Sequence, residues 1–126
     1  MRSRGGYGVT LECGQHGDPQ AVGVAYRAIR QPLALLGLAY FALKPPASDF
    51  QVLRLEDVVD REHENDRFTQ PWKSFDSVVA GQLIGQRTDG RAVAAPADGF
   101  VVFPNPGALP GNEWFYFAQK SARDIG

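Results

Sequence analysis

Pro45-Pro46 divides the chain into two stretches of different pattern. Proline has no amide proton and a fixed φ, so two in succession end a helix and stay out of a sheet interior. Before the pair, the sequence reads as one strand, one loop and one helix. After it come short apolar segments separated by turns. The fold therefore joins a piece with a helix to a piece built of strands.

The first piece is short of partners. Tyr7 to Leu11 alternates weakly between glycines and reads as a strand. Asp18 suits an N-cap and Pro19 the first helical position. Val22, Ala25, Ile29, Leu33 and Leu36 then recur at three and four residues, which predicts one apolar helix face. Pro32 is expected to kink or end this helix, and Gly37 to cap it. Strand, loop and helix make half of a parallel α/β unit, and a lone strand is not a sheet.

In the second piece "FQVLRLEDVV", Phe50 to Val59, alternates and reads as a strand. "DREHENDR", Asp60 to Arg67, reads as a solvated charged loop. From Val78 onward, "VVAGQLIGQR", "TDGRAVAAP", "ADGFVVFP" and "EWFYFAQ" predict several short strands, a small sandwich or barrel. By the period of two, Trp114 and Tyr116 share one face of the last strand, and Phe115 and Phe117 the other. The rhythm resembles that of small barrels carrying lipoyl or biotinyl groups. Those need a lysine at a hairpin tip, and the tip here is "RTDGRA", so a swinging-arm carrier is not expected.

The chain has 126 residues, enough for one average domain or two small pieces packed together. Thirteen basic residues against 14 acidic ones give a net charge of -1, so no nucleic-acid partner is expected. One cysteine, Cys13, excludes an internal disulfide framework. No apolar run approaches the ~18 residues that span a bilayer, so no membrane partner is expected. The opening "MRSRGGYG" has no apolar core of the signal-peptide kind, and a cytoplasmic location is the expectation.

Chemistry could reside in "YGVTLECGQHGDP", Tyr7 to Pro19. Glu12 falls at the C-terminal end of a predicted strand, where α/β folds place their sites. It could act as a general base, or it could be a loop glutamate capping backbone amides. Cys13 and His16 flank it, but a strand end and the tight loop after it rarely bring three side chains onto one ion. Bound zinc takes three or four ligands, and the other histidine, His63, lies in the charged loop. A Cys13–His16 nucleophilic pair is open on chemistry but poor in spacing. Arg2 and Arg4 could bind a carboxylate through their planar forks or form a solvated terminus. Tyr116, in "GNEWFYFAQK", could line a site or the core.

The stretch "YGVTLECGQHGDP" followed by "AVGVAYRAI" resembles the central motif of the succinylglutamate desuccinylase/aspartoacylase family. "APADGFVVFPNPGALPGNEWFYFA" resembles that family's C-terminal end, and the two lie in the family's order. Members are zinc-dependent deacylases, related in fold to zinc carboxypeptidases, that cleave an N-acyl amide to release an amino acid. The resemblance implies that Glu12 is the general base toward the zinc-bound water. It further implies that Arg2 binds a substrate carboxylate, with Tyr7 matching its surroundings, and that Tyr116 reaches the substrate.

The sequence departs from the family in one respect. The His-x-x-Glu pair and later histidine that hold zinc in the family precede this motif, and this chain has neither. The reading is therefore an α+β C-terminal part of such a deacylase. Residues 1–44 would be the last strand and helix of the zinc-carboxypeptidase-like α/β domain. Residues 45–126 would be a mostly antiparallel β-barrel or sandwich. Zinc would belong to the intact enzyme, with none bound by this chain, which would then be inactive alone. Its expected partners are an N-acyl amino acid in the intact enzyme and either an upstream catalytic segment or a second copy, paired through strand 7–11. The alternative is a non-catalytic β-barrel module for binding or assembly.

Overall fold

The computed structural model describes residues 10–14, 18–45 and 50–122. The chain forms two compact units, residues 1–48 and 49–126.

In the first unit, helix α1 runs from Ala21 to Leu35. It starts later than the Asp18 cap predicts. The Asp18 carboxylate accepts the Gln20 amide at 2.8 Å and its carbonyl the Ala21 amide at 3.1 Å, so Asp18 closes a turn ahead of the helix. Pro32 neither ends nor breaks α1, which continues to Leu35. The ring removes only the bond that its own amide would donate, and the turn after it is closed by the Leu36 amide on the Pro32 carbonyl at 2.9 Å. Gly37 ends the helix at φ +67°, a left-handed position that glycine adopts without a Cβ clash. Its amide donates to Ala34 and that of Leu38 to Leu33, the paired bonds of a Schellman motif.

The returning chain is clamped to the helix. The Gln31 amide donates to the Ala42 carbonyl at 3.2 Å and accepts the Lys44 amide at 3.0 Å. The Arg30 guanidinium lies 3.7 Å from the Phe41 ring centroid. The predicted apolar face is exposed at Val22, Ile29 and Leu36, and no residue of α1 is buried. Thr10 and Leu11 are not in a strand, and the rest of the predicted strand 7–11 lies outside the described residues.

Among its described residues the second unit holds seven strands: β1 Leu53–Asp60, β2 Arg67–Phe68, β3 Asp76–Val78, β4 Leu83–Gln86, β5 Ala92–Ala94, β6 Gly99–Val102 and β7 Glu113–Lys120. All pairings are antiparallel. They make two open sheets, ordered β1-β7-β6-β3 and β2-β4-β5, rather than the closed barrel that the strand rhythm allows. A barrel needs strands long enough to stagger continuously around it. Here β2, β3 and β5 have two or three residues each and end before they could bridge the sheets.

Both sheets feed one core. Ile84 of β4, Val78 of β3, Val101 of β6 and Trp114, Phe115 and Phe117 of β7 are buried in it with Trp72. Burying a large apolar side chain stabilises by about 1.5–3 kcal/mol, so these residues hold the unit together. Two bulges shape the β1–β7 ladder. Asp60 faces Glu113 and Val59 faces Phe115, which leaves Trp114 as an extra residue on β7. Leu55 faces Ala118 and Asp57 faces Phe117, which leaves Glu56 extra on β1. The first bulge overturns the simple alternation, because it lets Trp114 and Phe115 enter the core together. Trp114 then stacks on Phe68 of the other sheet at 4.5 Å between centroids. A Cβ at Gly85 would come within 2.5 Å of the indole, so the glycine makes room for it.

Candidate functional site

The residues singled out in the sequence belong to different parts of the chain. Glu12, in the first unit, is exposed, and Cys13 beside it is partly buried. Gly14 has a φ of +130°, a conformation that favours glycine, and a Cβ there would sit 2.9 Å from the mobile end of the Asp18 side chain. Arg2, Arg4, Tyr7 and His16 lie outside the described residues. Among the described residues no group of three or more His, Cys, Asp or Glu is placed to hold a metal ion. The zinc that the family resemblance implies thus finds no donor set there. His63 instead accepts the Asn65 amide on Nδ1 at 3.3 Å, inside its own loop.

Tyr116, in the second unit, stands on β7 between Val58 of β1 and Val102 of β6. Its ring meets Phe103 edge-on at 6.2 Å between centroids. Phe103 itself is held at φ +51°, a left-handed conformation rare for a bulky residue. Hydrogen bonding to the Glu113 carboxylate raises the phenol pKa above the ordinary tyrosine value, helped by burial and by the charges of Glu113 and Asp60. The phenol therefore stays protonated at neutral pH. On the same side a cavity of about 620 Å³ is lined by Val58, Asp60, Asn105, Gly111, Asn112 and Glu113. It offers two carboxylates and two amides, and suits hydrogen-bond donors of a small polar ligand.

The feature that the sequence pattern conceals is in "DREHENDR". Asp66 is buried, whereas the whole stretch reads as solvated. Its carboxylate accepts the amides of Glu62 at 2.9 Å, His63 at 3.1 Å and Thr88 at 2.9 Å, and the Thr88 hydroxyl at 3.1 Å. Arg87 completes the set at 2.9 Å. Burial opposes the charged form, but the Arg87 guanidinium and these amides outweigh it and hold the carboxyl well below the usual carboxylate range. Beside it, Arg61 donates to the carbonyls of His63, Pro106, Ala108, Glu64 and Asp66. These two residues fasten the 61–66 loop to the β4–β5 hairpin tip and to the 105–111 loop that lines the cavity. Their role is to position that loop.

The described residues form a helix followed by two open antiparallel sheets. A crystal structure described as succinylglutamate desuccinylase from Vibrio parahaemolyticus has a similar fold, with a TM-score of 0.60 at 18% sequence identity. The match covers 83% of this chain and 30% of that one, so this chain spans about 30% of its length. No protein-family model matches the sequence, and no curated protein matches it. Among the described residues no helix is long and apolar enough to cross a membrane.

Proposed function

We propose that this chain supplies the C-terminal part of a deacylase that hydrolyses the amide of an N-acyl amino acid. The observation that carries the reading is the likeness in fold to the desuccinylase over 83% of the chain. In this reading residues 1–44 are the last strand and helix of a catalytic α/β domain, and residues 45–126 are its β-rich C-terminal domain. Glu12 takes a proton from the attacking water and returns it to the leaving amine. Arg2 orients a substrate carboxylate. Tyr116 lines the pocket from the C-terminal domain. The described residues do not fit a zinc ion, so any metal is held by other residues, and the chain alone is proposed to be inactive. Its location is proposed to be cytoplasmic.

The test is a chimera in which this chain replaces the matching part of the Vibrio parahaemolyticus protein. The chimera is expected to hydrolyse succinylglutamate. Glu12→Gln should lower kcat by about 100- to 10,000-fold, the usual contribution of a general base. A folded chimera without turnover, or one indifferent to Glu12→Gln, overturns the reading and favours the non-catalytic assembly module.

A further inference from the structure

We infer that the cavity beside Tyr116 binds a positively charged side chain of the substrate amino acid, with the cationic head between Asp60 and Glu113. The inference rests on the deacylase reading and deepens it by naming the substrate class. Asp60 and Glu113 stand opposite each other at the end of the β1–β7 ladder. Both line the cavity and both are exposed. Like charges set opposite on neighbouring strands destabilise a sheet. Glu56, Glu62 and Asp89, exposed as well, each meet an arginine. Among the described residues no ion pair reaches Asp60 or Glu113. The Tyr116 phenol hydrogen-bonds Glu113, but it is neutral and leaves both charges uncancelled. A cation entering from outside would oppose them both.

The lining specifies an organic cation. An alkylammonium group has three N–H donors and no acceptor. Asp60, Glu113 and the side-chain oxygen of Asn112, which has no partner among the described residues, offer it acceptors on one cavity wall. A metal ion calls for a richer donor set, and no group of three or more His, Cys, Asp or Glu is gathered among the described residues. Next to the acids the surface turns apolar. Val58 lines the cavity and pairs with Tyr116, whose ring meets Phe103 edge-on. Val58 and Phe103 are 44% and 48% exposed, so this strip is open to a ligand. A side chain with a methylene stem and a charged tip divides in the same way, stem on apolar surface and head among polar groups. A carboxylate side chain would be repelled from this place, and an uncharged one would leave the two acids unopposed.

The test is binding to the full chain, followed by NMR chemical-shift titration with three probes that differ in the side chain: Nα-acetyllysine, Nα-acetylnorleucine and Nα-acetylglutamate. The lysine probe is expected to bind about ten-fold more tightly than the norleucine probe, with the glutamate probe weakest. High salt should narrow the difference. Asp60→Asn together with Glu113→Gln should bring the lysine probe down to the norleucine level. Glu64→Gln, a change at an exposed acid outside the cavity lining, should not. The double variant should melt no lower than the wild type, since it relieves a repulsion. No binding of the lysine probe, equal binding of the lysine and norleucine probes, or a preference that survives the double change overturns the inference. In the chimera, Nα-succinyl-lysine should be hydrolysed with a kcat/KM about ten-fold above that of succinylglutamate, which is still turned over. An active chimera that prefers succinylglutamate also overturns the inference, while the hydrolase reading stands. A folded chimera without turnover overturns the hydrolase reading, while a binding preference measured on the chain itself stands.

Discussion

The Arg87 guanidinium donates to the Asp66 carboxylate at 2.9 Å, and both side chains are largely shielded from water. Arg87 also lies over the Trp114 ring, 5.3 Å from its centroid. One ion pair therefore joins the charged loop, the β4–β5 hairpin and the aromatic core. Removing one member of a buried pair leaves the other charge without its partner, which costs more than the pair itself contributes. Asp66→Asn is expected to destabilise the second unit by about 3–5 kcal/mol. The measurement is the urea midpoint of the variant against that of the wild type.

Acid should unfold the protein through the same carboxylate. Its folded pKa is depressed, so its stabilisation is complete well above the unfolded value of about 3.9 and is lost as pH falls below that value. Stability measured between neutral pH and about pH 2 should therefore fall steeply below about pH 4. Asp66→Asn, already destabilised, should show a much shallower fall over that range. Parallel curves for the two proteins would contradict this assignment.

Arg61→Lys keeps the charge and removes the fork. An ammonium cannot reach five carbonyls on two loops at once. The expected loss is about 1.5–3 kcal/mol, with cleavage by protease appearing first in the 105–111 loop. Mass spectrometry of limited digests reads this directly.

Gly85→Ala places a methyl group against the Trp114 indole. Overfilling a packed core costs about 1–3 kcal/mol. The indole should shift, so near-ultraviolet circular dichroism is expected to change along with the melting temperature.

Tyr116 should ionise above the ordinary tyrosine value on alkaline titration, because Glu113 favours its protonated form. Glu113→Gln removes the carboxylate charge and should move the phenol back toward the ordinary value of about 10. Difference absorbance between wild type, Glu113→Gln and Tyr116→Phe isolates this one group. An unchanged titration in Glu113→Gln would exclude the coupling.

Local chemistry made parts of the fold legible in advance. The helix pattern over Val22–Leu36 and the glycine at 37 place α1 and its end, because period and cap act over a few residues. The alternating segments place most strands for the same reason. What stayed hidden depends on contacts distant in sequence. Asp66 lies in a run of charged and polar residues, and its burial depends on Arg87 and Thr88, well beyond that run. The outward or inward aim of Trp114 depends on a bulge, and a bulge exists only relative to the partner strand. Whether the sheets close depends on strand lengths that a pattern does not fix to the residue. Of the candidate residues, Glu12 and Tyr116 stand out in local motifs, whereas the loop that builds the cavity beside Tyr116 does not. Its order comes from Arg61, whose bonds to Pro106 and Ala108 span 45 and 47 residues.

The extra residue Glu56 on β1 has a bearing on how far assembly can go. β1 is eight residues long and lies at a sheet edge, a length that could template the addition of strand after strand. The bulge interrupts the even spacing of its outward amides and carbonyls halfway along, and Arg54, Glu56 and Asp57 place charges there. An incoming strand would find its hydrogen bonds out of step and its carboxylates opposed. Growth along the edge is thereby discouraged, and the chain is kept from the unlimited fibre that a smooth edge of the same length would invite.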